Sequence, residues 1–174
     1  MTFVPNSPTA RFGTYGEARV EDWLKQRDLF VTRLCNIRNV DGIGAPMLMG
    51  ARCNLILPDF QIIDPRKLGQ PFYVEVKTKT VPAWYAKGYC YTHGIDTANW
   101  RHYKRISLTT GLPVWLLILD DMSGELLGLQ IHRCTPDHHC EPNEAFPKGG
   151  GTFWRRSQLL LIAQLERRQH KLDV

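Results

Sequence analysis

The chain has 174 residues, 43% of them hydrophobic and 22% charged, enough apolar side chains for a full core and too many for a disordered chain. No apolar run approaches the ~20 residues that span a bilayer, and the opening MTFVPNSPTARFG lacks the charged-then-apolar order of an export signal, so a cytoplasmic protein with no membrane partner is expected. The net charge of +5 leans towards a polyanionic partner.

Residues 1–13, with Pro5, Pro8 and Gly13, read as an irregular arm. TYGEARVEDWLKQRD reads as a helix, with Thr14 as N-cap and Glu17 three residues on in the capping-box pattern. LFVTRLCNI is strand-like, NVDGIGAPMLMG is a glycine-rich loop, NLILPDFQIID is a second strand and PRKLGQP a turn. FYVEVKTKT is a third strand, whose alternation sends Val74 and Val76 to one face and Tyr73, Glu75, Lys77 and Lys79 to the other. VPAWYAKGYCYTHG reads as an aromatic-rich connection, either packed over the core or stacking unpaired bases. IDTANWRHYKRISLTTG reads as a helix capped by Asp96 or Thr97 and ended by Gly111 and Pro113. LPVWLLILD is a buried strand, DMSG a turn and ELLGLQIHR a further strand. FWRRSQLLLIAQLERRQ reads as a strand turning into a helix, or as one helix. The five cysteines, Cys35, Cys53, Cys90, Cys134 and Cys140, are scattered and odd in number, as reduced thiols are. With no repeat and no linker, residues 1–174 read as one domain, a mixed α/β or α+β sandwich with helices on the faces of a central sheet.

Glu75 and Lys77 share a strand face, and Asp59 begins the strand before. A hairpin of the two strands can bring Asp59 near Glu75. Paired carboxylates suit Mg²⁺, which takes oxygen ligands and keeps water. A lysine beside such a metal can orient or deprotonate a metal-bound water, or stabilise charge on a phosphate. The plainer reading makes Glu75 and Lys77 a solvated strand face and Asp59 a strand cap.

Pro58-Asp59 followed by Glu75-Val76-Lys77 resembles the motif of the PD-(D/E)xK nuclease superfamily, which includes restriction endonucleases and archaeal Holliday-junction resolvases. The order helix, strand, strand hairpin, helix, strand is also similar, and the resemblance covers about residues 14–120. It implies a restriction-endonuclease-like central mixed β-sheet flanked by helices. It also implies that Asp59, Glu75 and the Val76 carbonyl bind Mg²⁺, with Mn²⁺ able to substitute, and that Lys77 serves the attacking water. Glu17, preceded by Gly16 as in resolvase-like members, would be a further ligand or a supporting acid. The implied reaction is hydrolysis of phosphodiester bonds in DNA, branched or otherwise structured DNA included. Cutting two strands needs two sites, so a homodimer is the assembly that chemistry suggests.

Arg101, Lys104 and Arg105 form one stripe along the second helix and could follow a phosphate backbone with Lys79. Tyr103 or Lys104 fills the position from which a residue of this helix lines the active site in the superfamily, and Tyr103 is counted with Lys79 and the stripe among the nucleic-acid contacts. The stripe reads equally as a solvated helix face. IHRCTPDHHC offers Cys134, His138 and Cys140 to Zn²⁺, but without a paired CxxC or HxxxH spacing it reads better as a His-rich surface loop. The rivals are an RNA nuclease of the same fold, a non-catalytic nucleic-acid-binding module of nuclease fold, and a zinc-dependent structural protein built around Cys134 to Cys140.

Overall fold

The computed structural model describes residues 8–34, 47–51, 53–67, 69–80, 82–143, 145–146 and 149–166. Residues 1–7 of the expected arm and most of the glycine-rich loop lie outside the described residues. Helix α1 spans Pro8–Lys25. It begins at Pro8 and not at Thr14, because a proline in the first helical turn gives up an N–H that has no partner there anyway. Thr14 and Glu17 therefore lie inside the helix and form no capping box.

The strands follow as β1 (Phe30–Arg33), β2 (Met47–Leu48), β3 (Leu55–Ile56), β4 (Phe60–Ile63), β5 (Pro71–Lys79), β6 (Ala83–Tyr85) and β7 (Cys90–Asp96). Helix α2 (Thr97–Thr110) starts directly on β7, and β8 (Val114–Asp120), β9 (Glu125–Gln130), β10 (His138–Cys140), β11 (Gly151–Arg155) and β12 (Leu160–Gln164) complete the order. Asp96 is the N-cap residue of α2, and Gly111 ends it at φ 70°, a left-handed C-cap that costs glycine nothing.

A six-stranded sheet in the order β1-β4-β5-β8-β9-β12 forms the centre. It is mixed. β5 pairs antiparallel with β4, Phe60 opposite Val74, and parallel with β8, Glu75 opposite Leu116. The β5–β8 crossover carries β6, β7 and α2, as a parallel pair requires. A second sheet in the order β10-β11-β7-β6 lies beside α2. Two expectations are corrected here. The aromatic-rich connection forms β6 and β7, turning at Tyr89, whose φ is 47°. The C-terminal stretch forms β11, one helical turn at Arg156–Gln158, and β12, with the two strands in different sheets.

The central sheet buries both faces, which explains its long apolar runs. On one side Val20 and Leu24 of α1 pack on Val74, Val76, Leu117 and Leu119. On the other, Tyr103 and Ile106 of α2 meet Tyr73, Leu116, Ile118 and Leu129, joined by Ile95 and Trp154 of the second sheet. Each fully buried aliphatic or aromatic side chain contributes about 1.5–3 kcal/mol. No helix among the described residues is long and apolar enough to cross a membrane.

Gly16 sets how closely α1 approaches β5. A β-carbon there would overlap the hydroxyl and the carbons of the Thr78 side chain. Gly16→Ala is expected to lower stability by about 1–3 kcal/mol through overpacking, although alanine is the better helix former by ~1 kcal/mol. Thr78→Ala added to that variant should recover part of the loss. Thermal melting checks both, and a Gly16→Ala protein at least as stable as wild type would mean that α1 and β5 are not in such close contact.

Candidate active site

The site is built on the β4–β5 hairpin. Its register brings Asp59, just before β4, to the middle of β5, where the Val76 N–H donates to Asp59 Oδ2 at 2.8 Å. Asp59 thus takes up a backbone donor of the very strand that carries Glu75 and Lys77. On the face opposite Val74 and Val76, Glu75 is 2% exposed, and Lys77 Nζ lies 2.5 Å from Glu75 Oε1. The Tyr103 hydroxyl hydrogen-bonds the Glu75 carboxylate from α2. A buried carboxylate held by an ammonium and a phenol is no solvated strand face, so the plain reading of Glu75 is set aside.

Burial raises the Glu75 carboxyl to about 7, and the charge of Asp59 pushes the same way, against Lys77 and Tyr103. Burial works against the Lys77 charge, but Glu75, Asp59 and Glu17 outweigh it and hold its ammonium protonated well above the usual lysine range. Lys77 is therefore a fixed cation near neutral pH. As a cation it can orient a water or meet a phosphate oxygen. Lys79, two residues on, is pushed down by burial and by Lys77, and its ammonium lies 5.9 Å from the centre of the Phe146 ring.

Glu17 faces the same acids from α1. Burial raises its carboxyl, with Arg33 and Lys77 opposing. Arg33 of β1 reaches Glu17 Oε2 at 3.3 Å and also pairs with Glu21 one helical turn on. Sequence reading passed over Arg33. Its signal was the pair of acids at i and i+4 on α1, which asks for a cation opposite.

The other sequence candidates fall into two groups. Arg101, Lys104 and Arg105 are exposed on α2. Tyr103 is 2% exposed and its hydroxyl serves Glu75, so it stands in the acid site and not on the surface stripe where nucleic acid would lie. Cys134, His138 and Cys140 do not converge. His138 is stacked 3.8 Å from Tyr85 and 4.8 Å from Phe153, Cys140 Sγ accepts the Gly151 N–H at 3.2 Å, and Cys134 packs beside α2. The segment carries strand β10, not only a loop.

No protein-family model matches the chain, and no curated protein matches it. Its fold is similar to that of a Holliday junction resolvase. The solved structure is that of Hjc from Archaeoglobus fulgidus, an archaeal hyperthermophile, with a TM-score of 0.51, 83% of this chain and 89% of that chain covered, and 11% identity. At that identity the likeness shows the fold, a mixed α+β sandwich around a central mixed sheet.

The raised Glu75 carboxyl has a consequence for stability. Its unfolded value is near 4.5 and its folded value about 7. A group raised on folding binds its proton more tightly in the folded chain, so its contribution is full below pH 4.5 and is lost as pH rises through about 7. The metal-free protein is expected to lose stability across that window, and Glu75→Gln to flatten the loss. Urea midpoints measured from pH 4.5 to 8 check this, and a wild-type curve no steeper than the variant's rules it out.

Proposed function

We propose that the chain is a divalent-metal-dependent nuclease of the PD-(D/E)xK type that hydrolyses phosphodiester bonds in structured DNA. One observation carries the reading: the β4–β5 hairpin seats Asp59 on the Val76 N–H beside the buried Glu75, whose carboxylate pairs with Lys77, while Glu17 of α1 acts on both charges. The likeness in fold to a resolvase supports it.

The donor chemistry fits a hard cation. Asp59, Glu75 and the Val76 carbonyl would hold Mg²⁺, with Mn²⁺ able to replace it and Glu17 beside them. Among the described residues no three His, Cys, Asp or Glu side chains are grouped to close around a metal ion. Two carboxylates and a carbonyl leave the remaining positions to water and phosphate, the sharing that Mg²⁺ favours. When bound, the ion supplies activation of water and neutralises charge on the phosphate.

The chain's own groups do the rest. Tyr103 and Lys77 fix the Glu75 carboxylate, so little reorientation accompanies ligand binding. Lys77 offers its proton-bearing face to the water and to the scissile phosphate. Glu17, steadied by Arg33, adds negative charge that keeps Lys77 protonated. Arg101, Lys104, Arg105 and Lys79 supply cations for phosphates flanking the cut. A homodimer would place two such sites on the two strands of a branched substrate.

The test is a cleavage panel of four-way, nicked, single-stranded and duplex DNA with matching RNAs, in Mg²⁺, Mn²⁺ or EDTA. Cleavage of branched DNA with either metal and none in EDTA is expected. Cleavage of RNA alone would move the reading to an RNA nuclease. Binding without cleavage under every condition would make the chain a nucleic-acid-binding module.

A further inference from the structure

A cavity of about 260 Å³ lies between α2 and the segment from Ile131 to His139. Trp100, Lys104, His132, Cys134, Thr135 and His139 line it, and among the described residues no Asp or Glu does. It is separate from the acid site. Trp100 and Lys104 stand one turn apart on α2, and the Lys104 ammonium rides 5.2 Å over the Trp100 ring. Tyr103, on another side of the same helix, turns to Glu75.

The polar groups of this wall are donors or can act as donors. The Trp100 Nε1–H is buried without a hydrogen-bond partner. An indole nitrogen only donates, and leaving such a donor unmatched costs about 1–3 kcal/mol. His139 Nδ1 lies 2.9 Å from Thr152 Oγ1, and His132 Nδ1 lies 3.3 Å from Ser107 Oγ. Each ring is thereby fixed at one nitrogen, which leaves the other for a ligand. The acid within the segment, Asp137, is paired with Arg155 at 2.6 Å. It puts no negative charge on this wall.

We propose that this cavity binds a phosphate oxyanion. A tetrahedral anion matches a wall that carries an ammonium and two imidazoles beside a buried, unpaired indole N–H, with no carboxylate among the described lining residues. The pocket lies along the helix that carries Arg101 and Arg105, so in the proposed nuclease it holds a phosphate of the nucleic acid away from the acid site. That placement rests on the nuclease reading, whereas the binding of phosphate itself does not.

Inorganic phosphate titrated into the full chain, followed through the indole N–H resonances, is the direct test. Trp100→Phe assigns the resonance and Lys104→Gln, an exposed position, leaves the fold intact. Saturable movement of the Trp100 resonance is expected, absent with sodium chloride of equal ionic strength. Lys104→Gln should weaken phosphate binding about tenfold, the loss of one charge-assisted hydrogen bond. Competition by oligonucleotides in the Glu75→Gln protein then identifies the source. Displacement by 5′-phosphorylated strands alone means a terminal monoester, and equal displacement by unphosphorylated strands means a backbone diester; both support the pocket. A Trp100 resonance that phosphate does not move, or Lys104→Gln and His139→Gln titrations that superimpose on wild type, would overturn the proposal. So would stoichiometric Zn²⁺ binding that excludes phosphate. Cleavage is not read in these titrations, so a protein that binds phosphate and cuts nothing loses the nuclease reading and keeps the pocket.

Discussion

Glu75→Gln and Asp59→Asn should each slow metal-dependent cleavage by about 10²–10³-fold or more, the usual cost of removing one group that stabilises charge in the transition state. The choice of substitution matters. Asp59 accepts the Val76 N–H at 2.8 Å, so Asp59→Ala would orphan a backbone donor in a central strand at about 1–3 kcal/mol. A loss of activity there would be mixed with a loss of fold. Asparagine keeps an acceptor at the same place and removes only the charge. Glutamine at position 75 likewise keeps an acceptor for Tyr103 and ends the repulsion between Glu75 and Asp59. Both variants should therefore melt close to wild type while losing their activity. Single-turnover rates beside thermal melts decide the matter. A folded Glu75→Gln enzyme cutting at the wild-type rate would return Glu75 and Lys77 to a buried ion pair with no catalytic part.

Lys77→Met is the second large effect. Methionine keeps the length of the apolar stem and removes the ammonium. Because the cluster of acids holds Lys77 protonated, its proposed part is that of a cation beside the water and the phosphate. The chemical step should slow about 10²–10³-fold with DNA affinity almost unchanged. A second readout follows from the pairing. Lys77 is one of the charges that hold the Glu75 carboxyl down against burial, so without it that carboxyl rises further. The pH at which the residual rate reaches half its plateau should move upwards in the variant. Glu75→Gln alone cannot give that displacement, and a role of Lys77 in phosphate contact alone would show weaker binding with the profile in place.

The parts of this arrangement differ in how far the sequence discloses them. The strand with Glu75 and Lys77 was legible because alternation survives wherever the two faces of a strand meet different surroundings. Helix α2 was legible through Asp96 and Gly111, which carry its end signals. The start of α1 was hidden by Pro8, since proline marks an irregular stretch and a first helical turn equally well. β6 and β7 were hidden because Trp84 and Tyr91 are more than half exposed and Tyr85 is only half-buried, so no buried aromatic face marks the strands, and their turn is made at Tyr89, not at a glycine. The leucines of β12 suggested a helix by length and composition, yet Leu160 and Leu161 are each more than half exposed on an edge strand. At the site, Asp59 and Glu75 could be paired from the hairpin alone. The resemblance placed Tyr103 or Lys104 at the site, but the bond from Tyr103 to Glu75 could not be read, because it depends on how α2 is carried across the sheet by strands the sequence did not reveal.

The alignment of β4 with β5 also bears on how active molecules are to be counted. Side chains alternate between faces at every residue, so a hairpin that closes one position out of step turns each of them over. Glu75 and Lys77 would then be driven among Val20, Leu24 and Phe60, and Val74 and Val76 would occupy the face of the acid site. Burying an acid and an amine in that apolar layer, while removing two valines from it, makes the slipped hairpin both inert and poorly stable. In the proposed nuclease, activity thus becomes a test of folding fidelity: titrating active sites in a preparation would count the chains that closed this hairpin correctly, whatever the total protein present.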